Sequence, residues 1–222
     1  MAAIPLFLIA IWVRTPALPR TARANVATDA ERAGAAEGAI KALERAVSDE
    51  MQRLDEQATS ALDAPADVEG AFAYVAARAP RKDGESLVLI DHDRAFAWSG
   101  EMRVDPDTLR APISVSFSPF YTTLNVVKVR GDRRAVASVV LHAAPPADRL
   151  TQSMDSLVAA AQGVASYEFA PVADPRGGRF VIAYKGAPLA RVIPRLATGE
   201  EIGFRRAAML RPASPCSRTQ RW

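Results

Sequence analysis

The most constraining feature of this sequence is a long segment, Thr28 to Leu62, that contains no proline. Alanine, glutamate, arginine, glutamine and leucine dominate it, and all of these residue types favour helices. We predict one helix of about 35 residues, which is roughly 50 Å long at 1.5 Å per residue. Apolar side chains recur in it at steps of three and four and so share one helix face: Ile40, Leu43, Val47, Met51, Leu54, Ala58 and Ala61.

The apolar face of this helix has two interpretations. It packs along the helix's own domain, or it pairs with a second copy of the chain. Ile40, Val47 and Leu54 are seven residues apart, as in a heptad seam. We predict that these three residues form the seam of a homodimer, and both interpretations can hold along different stretches. Pro65 cannot continue the helix, so we assign this unit to residues 25–64.

An uncharged apolar run, residues 1–13, precedes the helix, and three arginines follow that run at positions 14, 20 and 23. Thirteen helical residues span roughly 20 Å, whereas a bilayer core requires about 20 residues. Three interpretations remain: a signal peptide with a cleavage site at 22–24, the end of a transmembrane helix, or an apolar element of the core. Because all three arginines follow the run, we predict a membrane anchor or signal segment with its linker over residues 1–24.

The charge distribution argues against a nucleic-acid partner. The net charge is only +3, and the basic excess lies at the two ends of the chain. Residues 176–222 hold ten basic and two acidic groups, whereas residues 25–85 hold seven basic and thirteen acidic groups. A nucleic-acid-binding domain concentrates its basic residues on a folded face with aromatic residues between them.

Few residues are available for metal or catalytic chemistry. One cysteine and two histidines exclude a disulfide framework and a multi-cysteine metal cluster. His92 lies between two aspartates in a predicted hairpin turn, and His142 ends a predicted strand with no partner carboxylate evident from spacing. We therefore predict no metal site, no cofactor and no catalytic residue.

The rest of the chain predicts a mixture of strands and short helices, and hence an α+β fold. The long N-terminal helix would pack on an antiparallel sheet of about five strands, with further short strands at the C-terminal end. Shorter helices are predicted over 66–79 and 147–162. Strands are predicted by apolar runs or by alternating patterns over 86–90, 95–100, 113–118, 122–130, 134–143, 167–172, 179–184 and 189–194.

Two stretches of this region resemble a known family. "SLVLIDHDRAFAWSGEM" is similar to the first hairpin of extracytoplasmic PAS-like (Cache-type) sensor domains. "FSPFYTTLNVVKVRGDRRAVASVVLHAAPPADRL" is similar to the later strands and following helix of such modules in bacterial membrane-bound sensor histidine kinases. The resemblance covers roughly residues 30–200. It implies a sensor domain over residues 65–204, and we predict a disordered tail over residues 205–222.

The resemblance implies a function and a site. The chain would be the periplasmic ligand-sensing domain of an inner-membrane receptor in a two-component system, and the long helix would transmit binding of a small molecule. The ligand would lie between the sheet and its covering segments, against Trp98, Phe117, Phe120, Tyr121 and Lys128. The sequence has no phosphoacceptor-histidine box and no glycine-rich ATP lid, so we do not expect the chain itself to be an enzyme. A free-standing exported binding or structural protein is the alternative, followed by a small hydrolase.

Overall fold

A computed structural model describes residues 29–78, 84–144 and 153–198 of the chain. The predicted anchor over residues 1–24 and the predicted tail over residues 205–222 lie outside the described residues. The helices are α1 (Asp29–Ala61), α2 (Val68–Ala77) and α3 (Met154–Gln162). The strands are β1 (Glu85–Asp91), β2 (Arg94–Gly100), β3 (Ile113–Phe117), β4 (Tyr121–Arg130), β5 (Arg133–Ala143), β6 (Val164–Ala170), β7 (Phe180–Tyr184) and β8 (Ala187–Leu196).

The strands form two antiparallel sheets. The first has five strands in the order β2-β1-β5-β4-β3, and the second has three in the order β6-β8-β7. The connection between β2 and β3 joins opposite edges of the larger sheet, because these two strands are its outermost members. The α+β class, the long N-terminal helix and the five-stranded antiparallel sheet are confirmed, and the C-terminal strands form a sheet of their own.

Helix α1 packs against both sheets and forms one side of a continuous core. Its apolar stripe contacts β4 and β5 of the larger sheet, β7 and β8 of the smaller sheet, and helix α3. Near its C-terminal end, Asp55 forms an ion pair with Lys128 on β4, with Oδ1 2.8 Å from Nζ. Near its N-terminal end, the carbonyl of Ala39 accepts a hydrogen bond from the Tyr167 hydroxyl on β6 at 3.1 Å. None of the described helices is both long enough and apolar enough to cross a membrane.

The heptad residues of α1 are used within the chain, which corrects the predicted dimer seam. Ile40 is 4% exposed, and Val47 and Leu54 are 0% exposed, in the single chain. A side chain already enclosed by its own domain cannot also pack against a second copy. The interpretation in which the helix packs along its own domain therefore describes these three positions. The heptad spacing arose because any helix buried along one face repeats apolar residues near every seventh position.

A partly buried ionic cluster fixes the C-terminal half of α1 to the larger sheet. Arg53 donates to Glu85 on β1, with Nη2 2.5 Å from Oε1, and it also contacts Glu50 one turn away. Burial lowers the pKa of Arg53, but the hydrogen bonds and charges of Glu50 and Glu85 outweigh this effect and raise it. The guanidinium is therefore held in its charged form between two carboxylates.

Leu54 tests the burial of α1 directly. We expect Leu54→Ala to lower the free energy of unfolding by about 2–5 kcal/mol, because it leaves a cavity in the core. Leu157 supplies a matched control, since it is also a helical leucine but is 56% exposed. Leu157→Ala should change stability by less than about 0.5 kcal/mol. Urea unfolding followed by circular dichroism gives both values. Equal stabilities, with a loss of dimer mass in light scattering for Leu54→Ala alone, would restore the seam.

Candidate functional site

The five residues predicted to bind ligand do not meet in one pocket. Trp98 lies on β2 at one edge of the larger sheet, where its ring packs edge-on against Phe72 of α2 with the centroids 4.8 Å apart. Phe117 ends β3 at the opposite edge. Four strand spacings separate these edges, which is about 19 Å at roughly 4.8 Å per spacing. One small ligand cannot contact both rings.

The other three predicted residues are also dispersed. Lys128 is turned toward α1, where its ammonium pairs with Asp55. Tyr121 alternates with the helix-facing residues of β4, so it lies on the opposite face, beneath the guanidinium of Arg103 at 4.8 Å. Phe120 is exposed between β3 and β4. The aromatic residues predicted to bind ligand therefore lie at sheet edges and in a loop, and they do not form one site.

The sheet face opposite α1 carries a hydrogen-bonded polar row. Asn125 of β4 is fully buried, accepts from Ser138 Oγ on β5 at 2.6 Å, and donates to Ser116 Oγ on β3 at 3.0 Å. The hydroxyls of Ser114 and Thr123 are buried beside this row and have no hydrogen-bond partner among the described residues. The alternating serines of β3 thus face a polar layer rather than open solvent.

The strongest chemical arrangement lies elsewhere, at the end of β5. His142 Nδ1 is 2.7 Å from Asp155 Oδ2 in the first turn of α3. A carboxylate can only accept, so Nδ1 carries the hydrogen in this pair. His142 also packs against Phe169 of β6, with the ring centroids 5.6 Å apart. This finding corrects the expectation that His142 has no partner carboxylate.

The pair was missed because Asp155 follows His142 by 13 residues, across a connection that has no fixed spacing. One signal was present in the sequence. A helix predicted to follow directly after the strand must return along it, and that return brings the first turn of the helix near the strand's end. An acidic residue in this first turn is also favoured by the helix dipole.

His142 and Asp155 line a pocket of about 260 Å³ between the two sheets and α3. Its other described lining residues are three serines and four alanines: Ser153, Ser156, Ser166, Ala143, Ala159, Ala160 and Ala165. Asp155 is only 3% exposed, and its Oδ1 is buried with no hydrogen-bond partner among the described residues. The wall of small side chains thus includes one carboxylate, with one oxygen paired to His142 and the other covered and unpaired.

Tyr167 connects this pocket to α1. Its ring is fully buried, 6.4 Å from that of Phe169, and its hydroxyl donates to Ala39 of α1. Burial, and secondly the negative charge of Asp155, raise the pKa of Tyr167 to about 12. The carboxylate of Asp155 thus acts electrostatically on the one side chain that hydrogen-bonds the backbone of α1 from β6.

Among the described residues, the His142–Asp155 pair forms neither a catalytic triad with a serine nucleophile nor a metal site. No serine hydroxyl hydrogen-bonds His142 within the described ranges, so the His142–Asp155 pair has no aligned nucleophile there. The described residues contain no group of three or more His, Cys, Asp or Glu side chains that could hold a metal ion. His92 lies in the exposed turn between β1 and β2, 3.0 Å from Asp91, as the hairpin prediction required.

Comparisons with protein-family models, with curated proteins and with solved structures each give no match to this chain.

The raised pKa of Tyr167 gives a prediction about alkaline pH. A tyrosine with an ordinary pKa of 10.0 and a folded value of about 12 stabilises the fold fully below pH 10. That contribution is lost as the pH rises from 10 to 12, because the unfolded state then releases its proton more readily. We expect the free energy of unfolding to fall more steeply over this range in the wild type than in Tyr167→Phe.

Ultraviolet titration of the four tyrosines provides the direct measurement. Tyr167 should be the last of them to ionise, and Tyr167→Phe should remove only that last step. The matched control is Tyr74→Phe, which should leave that last step in place. A titration in which all four tyrosines ionise together near pH 10 would contradict the burial of Tyr167 beside Asp155.

Proposed function

We propose that this chain is the ligand-sensing module of a bacterial signal-transduction receptor. One observation carries the proposal. The pocket with the partly buried His142–Asp155 pair lies where the two sheets meet, and Tyr167 links that region to α1 by a hydrogen bond. A ligand in this pocket contacts β5, α3 and β6 at once. Both β5 and α3 pack against the helix that spans both sheets, and β6 contacts it through Tyr167.

The architecture also supports a sensor. The larger sheet has the strand order β2-β1-β5-β4-β3, with a crossing connection between the second and third strands, as we expect of the PAS-like sheet that the resemblance implies. This agrees with the resemblance of the β1–β2 hairpin and of the β4–β5 region to extracytoplasmic sensor domains. Met102, Val104 and Leu109 of the crossing connection pack against Val88 and Ile90, so the sheet is covered on both faces.

Sensing in this arrangement requires two packings of α1 with different affinities for the ligand. The half of α1 that contacts the larger sheet is fixed by Arg53 and by the Lys128–Asp55 pair. The half that contacts the smaller sheet has the Tyr167–Ala39 bond. A ligand that draws α3 and β6 toward His142 moves the half of α1 over the smaller sheet relative to the half over the larger sheet. This movement is the proposed output signal.

The cellular setting follows the same proposal. The module would lie on the periplasmic side of the inner membrane, held through its N-terminal segment, and would work as a homodimer in a two-component system. Because the apolar stripe of α1 is buried, such a dimer would use another surface of the chain.

A free-standing exported binding protein is the second candidate, and one observation favours it. The apolar side chains of α1 are buried within a single chain, as expected of a protein that acts alone. The two candidates differ in whether ligand binding reaches the N-terminal half of α1. A binding protein needs only a closed pocket, whereas a sensor must change that helix.

We expect a small-molecule screen by thermal unfolding to find ligands that require the pocket. At a ligand concentration of about 100 Kd, binding contributes roughly 2.7 kcal/mol, which corresponds to a shift in Tm of roughly 5–10 °C. Ala165→Leu fills the pocket and should abolish the shift. Ala161→Leu, on the exposed side of α3, is the matched control and should retain it.

Hydrogen–deuterium exchange with the best ligand then separates the candidates. A sensor should show altered exchange in α1 around Ala39 as well as in α3 and β6. Protection confined to α3, β5 and β6 would instead favour the free-standing binding protein. An equal shift in Tm in wild type and Ala165→Leu would place binding elsewhere and remove the basis of the proposal.

A further inference from the structure

The unmatched oxygen of Asp155 indicates what kind of ligand the pocket takes. Oδ2 is engaged by His142 at 2.7 Å, whereas Oδ1 is buried and has no partner among the described residues. A buried carboxylate oxygen without a hydrogen bond is disfavoured, and a ligand donor that displaces the side chains covering Oδ1 would relieve this. The ligand should therefore present an N–H or O–H group to Oδ1.

The charge of the pocket narrows this choice. Neither lysine nor arginine occurs among the described lining residues, and the only basic group there is His142, which Asp155 already engages. Asp155 is the one acidic side chain among those described lining residues, and its carboxylate forms a stronger hydrogen bond with a cationic donor than with a neutral one.

The walls define the rest of the ligand. Ala143, Ala159, Ala160 and Ala165 present methyl groups, and the volume of about 260 Å³ is below the range of about 300–1,000 Å³ for drug-sized ligands. A short aliphatic body therefore suits the pocket. A carboxylate on the ligand would find no fixed cation among these described residues, so a zwitterionic amino acid is a poor match.

We propose that the His142–Asp155 pocket binds a compact organic ammonium, a protonated primary amine on a short aliphatic chain, with its N–H groups directed at Asp155 Oδ1. This inference rests on the proposed function and specifies the ligand class of the same site. It assigns Asp155 as the recognition residue and His142 as the residue that positions its carboxylate. The alanines exclude water from the aliphatic part.

The test uses four probes with the intact chain in isothermal titration calorimetry. Propylammonium is the expected ligand, and propan-1-ol and propionate match its shape with neutral and negative head groups. Sodium chloride tests for an inorganic cation alone. We expect propylammonium to bind about ten- to a hundredfold more tightly than propan-1-ol, as for a hydrogen bond to a charged group. Propionate and sodium should give no saturable signal.

Asp155→Asn should abolish propylammonium binding, since it removes the charge but keeps the side-chain shape. Asp132→Asn is the control, because Asp132 is an exposed aspartate in the turn between β4 and β5. Should Asp155→Asn fail to fold, the comparison of probes on the wild type decides alone.

The outcomes separate the inference from the proposed function. Equal binding of propylammonium and propan-1-ol, or a saturable signal from propionate or sodium, overturns the ammonium assignment and leaves a sensor for another ligand class. Loss of propylammonium binding in both Asp155→Asn and Asp132→Asn also overturns it. Absence of any pocket-dependent ligand in the wider thermal screen removes the proposed function itself.

Discussion

The burial of one helix face holds this molecule together. The smaller sheet has only three strands, and a sheet of that size depends on a neighbour to cover its apolar face. Helix α1 is that neighbour, and it covers the larger sheet as well. Its fully buried side chains include Leu43, Val47, Met51 and Leu54. Without this shared layer the two sheets would have no common core, and the pocket between them would not exist.

Polar contacts then determine how α1 is seated on the two sheets. Arg53 and Asp55 bind partners on β1 and β4, whereas Ala39 is contacted from β6. The first set consists of ion pairs between charged groups. Over the smaller sheet the helix has a neutral hydrogen bond and one exposed, 3.9 Å ion pair between Glu37 and Arg179. Charged hydrogen bonds are about twice as strong as neutral ones. The helix is thus held firmly over the larger sheet and less firmly over the smaller sheet, next to the pocket.

The fold was largely readable from the sequence, and the site was not. Periodic apolar residues predicted α1 and the strands because each pattern reports a local geometry. The same pattern could not tell Val47 packed in its own core from Val47 packed against a second copy, since both bury one helix face. Lys128 was assigned to a ligand site, but strand alternation does not say which face a helix covers. The His142–Asp155 pair depends on how α3 returns to β5, which no local spacing encodes.

The contact between Tyr167 and Ala39 spans 128 residues of sequence, and it bears on how the chain acquires its structure. During synthesis α1 is made before all the described strands, and the strands of the smaller sheet, which contact its N-terminal half, are made after those of the larger sheet. Loop closure over such a distance is slow, and apolar surface stays exposed until it is complete. The apolar stripe of α1 therefore stays uncovered until the strands of the smaller sheet have been made.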